Sequence, residues 1–107
     1  MAQSSHLAQG ELTDTALHVM LALTRPRHGY AVMQFLTERS GGRLTLGPAS
    51  LYTTLKKLRD AGFIEELDGG DARRVHRLTP RGRGVLMSDI ERRRGILAMA
   101  DQIMETT

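Results

Sequence analysis

The chain has 107 residues, 40% hydrophobic and 25% charged, with a formal net charge of +3 and a sequence pI of about 10.0. That length holds one ordinary domain with a core of its own and leaves little room for a second. The absence of cysteine excludes disulfides, zinc fingers and thiol catalysis, and the basic balance inclines the chain towards polyanionic partners. The first residues carry no charged segment followed by an apolar run, and no apolar stretch approaches the ~20 residues that span a bilayer. A soluble, cytoplasmic protein is the expectation.

Residues 1–11 are expected to be a flexible N-terminus. Thr13 then reads as a helix cap, with Asp14 at the positive end of the helix dipole. Leu12, Ala16, Val19, Met20 and Leu23 recur at helical spacing. Leu17 and Leu21 widen that stripe, so this helix should pack against two neighbours. Arg25-Pro26-Arg27 ends it. A second helix opens at Gly29, with Val32, Met33 and Leu36 on its buried side and Tyr30 and Phe35 beside them. Ser40-Gly41-Gly42 closes it.

After a short extended piece, Arg43 to Leu46, Gly47 caps a third helix and Pro48 occupies its first turn. Leu51, Leu55 and Leu58 define one apolar stripe, and the helix should end near Ala61 and Gly62. The opposite face carries Ser50, Thr53, Lys56 and Lys57. Hydroxyls and cations of this kind suit base edges and phosphates in a DNA major groove. A solvated lysine face is the plainer reading of the helix taken alone.

Two strand-like stretches follow, Phe63 to Leu67 and Arg73 to Leu78, joined by the turn residues Asp68 to Asp71. Thr79-Pro80 starts a last helix expected to reach about Met104, roughly 37 Å at ~1.5 Å per residue. Along it Leu86, Ile90, Arg93, Leu97, Ala100 and Met104 keep a heptad-like spacing. Its apolar surface exceeds what a three-helix core can cover, so dimerisation through this helix is expected, with a bend at Gly95. The whole is a mainly α chain with a small β-hairpin. A winged helix-turn-helix spans residues 12–79, and a C-terminal dimerisation helix spans 80–107.

The residues His28-Gly29-Tyr30, Gly47-Pro48-Ala49-Ser50-Leu51-Tyr52, Leu55-Lys56-Lys57-Leu58, Ala61-Gly62-Phe63-Ile64 and Arg77-Leu78-Thr79 with Gly82 give the chain its likeness to a known family. From about residue 12 to residue 90 it resembles the PadR-type winged-helix transcriptional regulators. The resemblance implies a homodimer that binds pseudo-palindromic operator DNA, usually as a repressor, with the third helix in the major groove and the wing along the backbone. Carried over, Ser50, Tyr52, Thr53, Lys56 and Lys57 face the groove, while Arg73 and Arg74 supply basic wing positions and Arg77 adds to the positive footprint. Short length and a single C-terminal helix are similar to a subgroup that dimerises through that helix and the first one.

The chain also departs from the family. The wing turn is short, and Val75-His76 stand where many members have two aromatics. Some short members bind flat aromatic compounds between tryptophans at the dimer centre, whereas this chain has no Trp and places Arg93 at the comparable seam position. Arg92-Arg93-Arg94 would then either attract an anionic ligand or form a solvated face with one arginine at the seam.

Three other readings stand beside this one. Glu11, Asp14 and His18 lie at i, i+3 and i+7 on one helix face, where zinc or manganese would accept them and make the chain a metal-responsive regulator; a polar helix face is the plainer account. A winged-helix protein-interaction module is the second class, opposed by the scarcity of exposed aromatic anchors. Catalysis has little to stand on, because no glycine-rich phosphate loop follows a strand and Glu65 and Glu66 point to opposite faces of theirs. No cofactor is expected to be required; an effector would be a small molecule or a divalent metal.

Overall fold

A computed structural model describes residues 11–67 and 74–106. The elements are α1 (Asp14–Ala22), β1 (Arg27–His28), α2 (Gly29–Arg39), α3 (Pro48–Asp60), β2 (Ile64–Leu67), β3 (Val75–Leu78) and α4 (Pro80–Thr106). Most of the expected N-terminal segment and the wing turn, including Arg73, lie outside the described residues.

Thr13 caps α1 as its side chain predicts: Thr13 Oγ1 accepts from the Ala16 N–H at 3.1 Å. The wide apolar stripe of α1 is used on several sides, so that Val19, Met20 and Ala22 are fully buried among α2, α3 and α4. One core results, built from Leu12, Val19, Met20, Val32, Leu36, Leu51, Leu55, Leu58, Phe63, Ile64, Leu78 and Leu86. Burial of these side chains, at roughly 1.5–3 kcal/mol each, is what holds the helices together.

Gly62 ends α3 with φ +81°. The Phe63 N–H donates to the Leu58 carbonyl at 3.0 Å and the Gly62 N–H to Arg59 at 2.9 Å, the paired bonds of a Schellman cap. The chain turns there directly into β2.

The sheet has three antiparallel strands in the order β1-β3-β2, one more than the expected hairpin. β1 is two residues long and pairs Arg27 with His76 and His28 with Val75. On the other side of β3, Glu66 pairs with His76 and Leu67 with Val75. Arg27, His76 and Glu66 therefore form one row across the sheet, because cross-strand partners share a face.

Thr79 joins sheet to helix. Its N–H donates to the Phe63 carbonyl at 3.0 Å, its hydroxyl donates to Gly62 O at 2.7 Å and accepts the Gly82 N–H at 3.0 Å. At Gly82 even a Cβ would overlap the Phe63 carbonyl. The glycine costs α4 some intrinsic stability, and in exchange the helix backbone rests against the start of β2.

α4 runs unbroken for 27 residues, through Gly84 and Gly95. Its two halves differ. Leu86, which its spacing assigns to the dimer seam, is buried in the chain's own core, and Ile90 packs against that core. Beyond residue 93 the side chains are exposed apart from the half-buried Ala100, with Leu97 at 65% and Met104 at 73%. No helix among the described residues is long and apolar enough to cross a membrane.

Candidate nucleic-acid interface

The sequence decides how α3 is held. Pro48 sits in its first turn behind Gly47 as N-cap, and Leu51, Leu55 and Leu58 are each at most 1% exposed. With that stripe locked into the core, rotation of the helix is fixed. Ser50, Thr53, Lys56 and Lys57 are then all exposed on the far side. Lys56 Nζ meets Asp60 Oδ2 at 2.9 Å across one turn, a surface pair worth only a few tenths of a kcal/mol and easily exchanged for a phosphate. Lys57 has no ion-pair partner among the described residues.

Tyr52 behaves differently from its neighbours. Although 54% exposed, its ring lies over Gly29, where an added Cβ would come within 2.8 Å of the phenol oxygen. The tyrosine thus fixes the start of α2 against α3, the two helices of the helix-turn-helix. The pairing of Gly29 with Tyr52 is the physical sense of two motifs that lie far apart in the sequence.

The lower end of α3 is tied to the wing. Arg59 Nη1 lies 3.3 Å from Glu66 Oε1, and Arg74 Nη1 lies 3.7 Å from the same oxygen. On the opposite face of the sheet Arg77 Nε donates to Glu65 Oε2 at 2.8 Å. Glu65 and Glu66 do point to opposite faces, and each holds arginine. Of the two basic wing positions, Arg74 is exposed beside the wing base and Arg73 lies outside the described residues.

Beneath this link His76 is 4% exposed, and its Nδ1 has no hydrogen-bond partner. Arg27 stacks its guanidinium on Phe35, 4.0 Å from the ring centroid, and its buried Nε also lacks a partner. Burial pushes the His76 pKa below the ordinary imidazole value; Glu66 opposes that, while Arg59 and Arg74 add to it. The folded chain thus favours the neutral ring of His76.

At the other end of the head the arginine expected at a dimer seam turns inward instead. Arg93 Nε donates to Asp89 Oδ2 at 2.9 Å, Nη1 to Asp14 Oδ1 at 2.7 Å and Nη2 to the Leu12 carbonyl at 2.7 Å. Arg92 Nε takes the second Asp89 oxygen at 2.8 Å. Asp89 is only 1% exposed. Burial works to raise its pKa, but the hydrogen bonds from Arg93 and Arg92 hold it below the ordinary carboxylate value. The bond from Arg93 lowers Asp14 likewise.

The side chains read as candidate metal ligands, those of Glu11, Asp14 and His18, are placed as follows. The Asp14 carboxylate is occupied by Arg93, and His18 Nδ1 is 2.6 Å from the Asp14 carbonyl oxygen. Among the described residues no three His, Cys, Asp or Glu side chains stand together as a metal site.

A helix-turn-helix with a polar, basic outward face, followed by a sheet whose last two strands form a wing, defines a winged-helix DNA-binding protein. The chain belongs to the transcriptional regulator PadR-like family, whose model matches residues 17–88. It is 38% identical over 74 residues to an uncharacterised 37.1 kDa protein in a transposon of Streptomyces fradiae; the match covers 68% of this chain and 21% of that protein, so the chain spans about a fifth of that relative's length. A PadR family transcriptional regulator from Eggerthella lenta has the same fold, with a TM-score of 0.75 at 23% identity over 99% of this chain and 94% of that one. A PadR family transcription regulator from Clostridium difficile superposes with a TM-score of 0.73 at 17% identity, covering 86% and 99% of the two chains. The protein is a DNA-binding transcriptional regulator. Its family comprises regulators rather than enzymes.

Proposed function

We propose that the chain acts as a cytoplasmic homodimer that reads a two-fold operator in double-stranded DNA and represses its own or neighbouring genes until a small-molecule effector releases it. One observation carries this reading: Ser50, Thr53, Lys56 and Lys57 are exposed together, opposite a leucine stripe that fixes the helix in place. Hydroxyls at the start of α3 would meet base edges, and the lysines and Arg74 would meet phosphates, with Arg73 alongside. Self-association is supported by Ile96, Leu97 and Met99, exposed at 46%, 65% and 53% on the outer half of α4, continued by Ala100 and Met104. Two recognition helices related by a two-fold would sit about one DNA turn apart, ~34 Å. Release requires an effector with different affinity for the bound and released arrangements.

Fluorescence anisotropy tests this on DNA from the protein's own upstream region, with random duplex alongside, at 50 and 200 mM salt. If each subunit neutralises three or four phosphates, affinity falls by ~10³–10⁵ over that range, and the upstream DNA stays preferred. Lys57→Ala should weaken binding to all duplexes and reduce the salt slope by about one. A change in base preference would instead make Lys57 a reader of sequence. Absence of binding even at 50 mM would remove the operator reading.

A further inference from the structure

Arg93 is the last charged residue of α4 that is tied to another element of the head. Before it the helix is packed into the core. After it, from Arg94 onward, the helix is exposed on every side but Ala100. Of the three guanidinium–carboxylate bonds at this boundary, the two to Asp89 are unlike ordinary surface pairs, because Asp89 is buried and both its oxygens are taken by Arg92 and Arg93; the third, to Asp14, lies at the surface. Arg93 also reaches Leu12 and Asp14, at the very start of α1. A planar fork of donors fixed by three acceptors on two elements sets a direction as well as a distance. Gly95, with open space around it, follows two residues later and lowers the intrinsic stability of the helix there relative to alanine.

We infer that Arg93 is a positioning residue: through Asp89, Asp14 and the Leu12 carbonyl it fixes the angle at which the outer half of α4 leaves the DNA-binding head. The inference deepens the dimer reading above and rests on it for its consequence on DNA. The outer half, residues 94 to 106, is roughly 20 Å long at ~1.5 Å per residue, so a swing of about 15° at its base displaces its tip by about 5 Å. The rise between base pairs is about 3.4 Å. A loose arm would therefore misplace the second recognition helix by more than one base pair, and a fixed arm sets the half-site spacing that the dimer accepts.

The chain has no cysteine, so spin labels can be placed at will. Labels on Gln34→Cys in α2 and Asp101→Cys in α4, both exposed positions, would report the arm-to-head distance within one chain when labelled protein is diluted with unlabelled. With Arg93 in place a single narrow distance is expected. In Arg93→Gln it should broaden and shift while circular dichroism still reports a folded helical chain. Arg93→Lys, which keeps the charge but loses the fork, should fall between. A distance as narrow in Arg93→Gln as in the unsubstituted chain, with a lowered melting temperature as the only change, would make Arg93 merely stabilising and overturn the inference.

The DNA consequence is read on a duplex recovered from a random pool by the unsubstituted chain. Inserting one base pair between its half-sites should weaken binding by the unsubstituted chain more than by Arg93→Gln; an equal penalty would overturn the link to spacing. Sedimentation separates the two failures. A single-chain mass with one half-site in the recovered duplex would end the dimer reading, while the intrachain distance would still decide whether Arg93 fixes the arm.

Discussion

Two polar clusters, one centred on the buried Asp89 and one on the buried His76, are built in contrary ways. Around Asp89 every charge is answered: Arg92 and Arg93 each take a carboxylate oxygen, and Arg93 continues to Asp14 and the Leu12 carbonyl. Around His76 the row Arg27-His76-Glu66 crosses the sheet with two buried nitrogens, Arg27 Nε and His76 Nδ1, left without partners. Low dielectric strengthens a satisfied network and penalises an unsatisfied one. The first cluster should therefore be rigid and costly to break. The second should be the weak point of the wing, close to the end of α3 that Arg59 ties to Glu66.

Breaking the satisfied cluster should have the largest effect. Asp89→Asn keeps the shape but leaves two arginines facing a neutral amide, and should cost about 2–3 kcal/mol at pH 7. Urea denaturation would register it as a fall in midpoint with little change in slope. The difference from the unsubstituted chain should shrink in acid. A carboxylate whose folded pKa is depressed contributes stability that is full above its unfolded value of about 3.9 and is lost as pH falls below that through the folded value. A gap that stays constant down to pH 3 would mean that the charge of the carboxylate does not explain the loss.

The unsatisfied cluster should show itself at milder pH. The folded pKa of His76 lies below its ordinary value, with burial as the leading cause. Above about pH 6.5 both folded and unfolded chains carry the neutral ring, so no difference arises. Below it the unfolded chain binds a proton that the folded chain refuses, and stability falls until the folded pKa is reached. At one pH unit below 6.5 the loss is no more than about 1.5 kcal/mol. His76→Phe, with an aromatic ring and no nitrogen, should flatten the melting temperature between pH 7.5 and 5.5, and DNA affinity over that range should follow. A slope equal to that of the unsubstituted chain would place the acid-sensitive group elsewhere.

Much of the head was legible because its signals are local. Thr13, Pro48 and Gly62 act within one turn of themselves, and the spacing of Leu51, Leu55 and Leu58 is enough to orient α3. What was hidden depends on partners distant in the chain. β1 is too short to have a period, and only β3 makes it a strand. Gly82 reads as a helix weakness until Phe63 is seen against it. Arg93 fits a heptad seam by spacing alone, yet its partners lie 79 and 81 positions away. No sequence period encodes such a contact, and the same holds for the link between Arg59, Glu66 and Arg74.

The smallest effect should come from removing one orphan of the second cluster. Arg27→Met replaces a guanidinium that stacks on Phe35 with a flexible apolar chain of similar length. Loss of the cation–π contact costs about 0.5–1 kcal/mol, and removal of a buried donor without an acceptor returns about 1 kcal/mol or more. The two nearly cancel, so the net change should lie within about 0.5 kcal/mol. Urea midpoints for Arg27→Met and Asp89→Asn, measured side by side at pH 7, then decide between two accounts of the contrast. If the arginine variant is near neutral and the aspartate variant is not, satisfaction of the buried groups governs the cost. If Arg27→Met destabilises as much as Asp89→Asn, the cross-strand position of Arg27 between Phe35 and His76 matters more than its missing hydrogen bond, and the two clusters are equally firm.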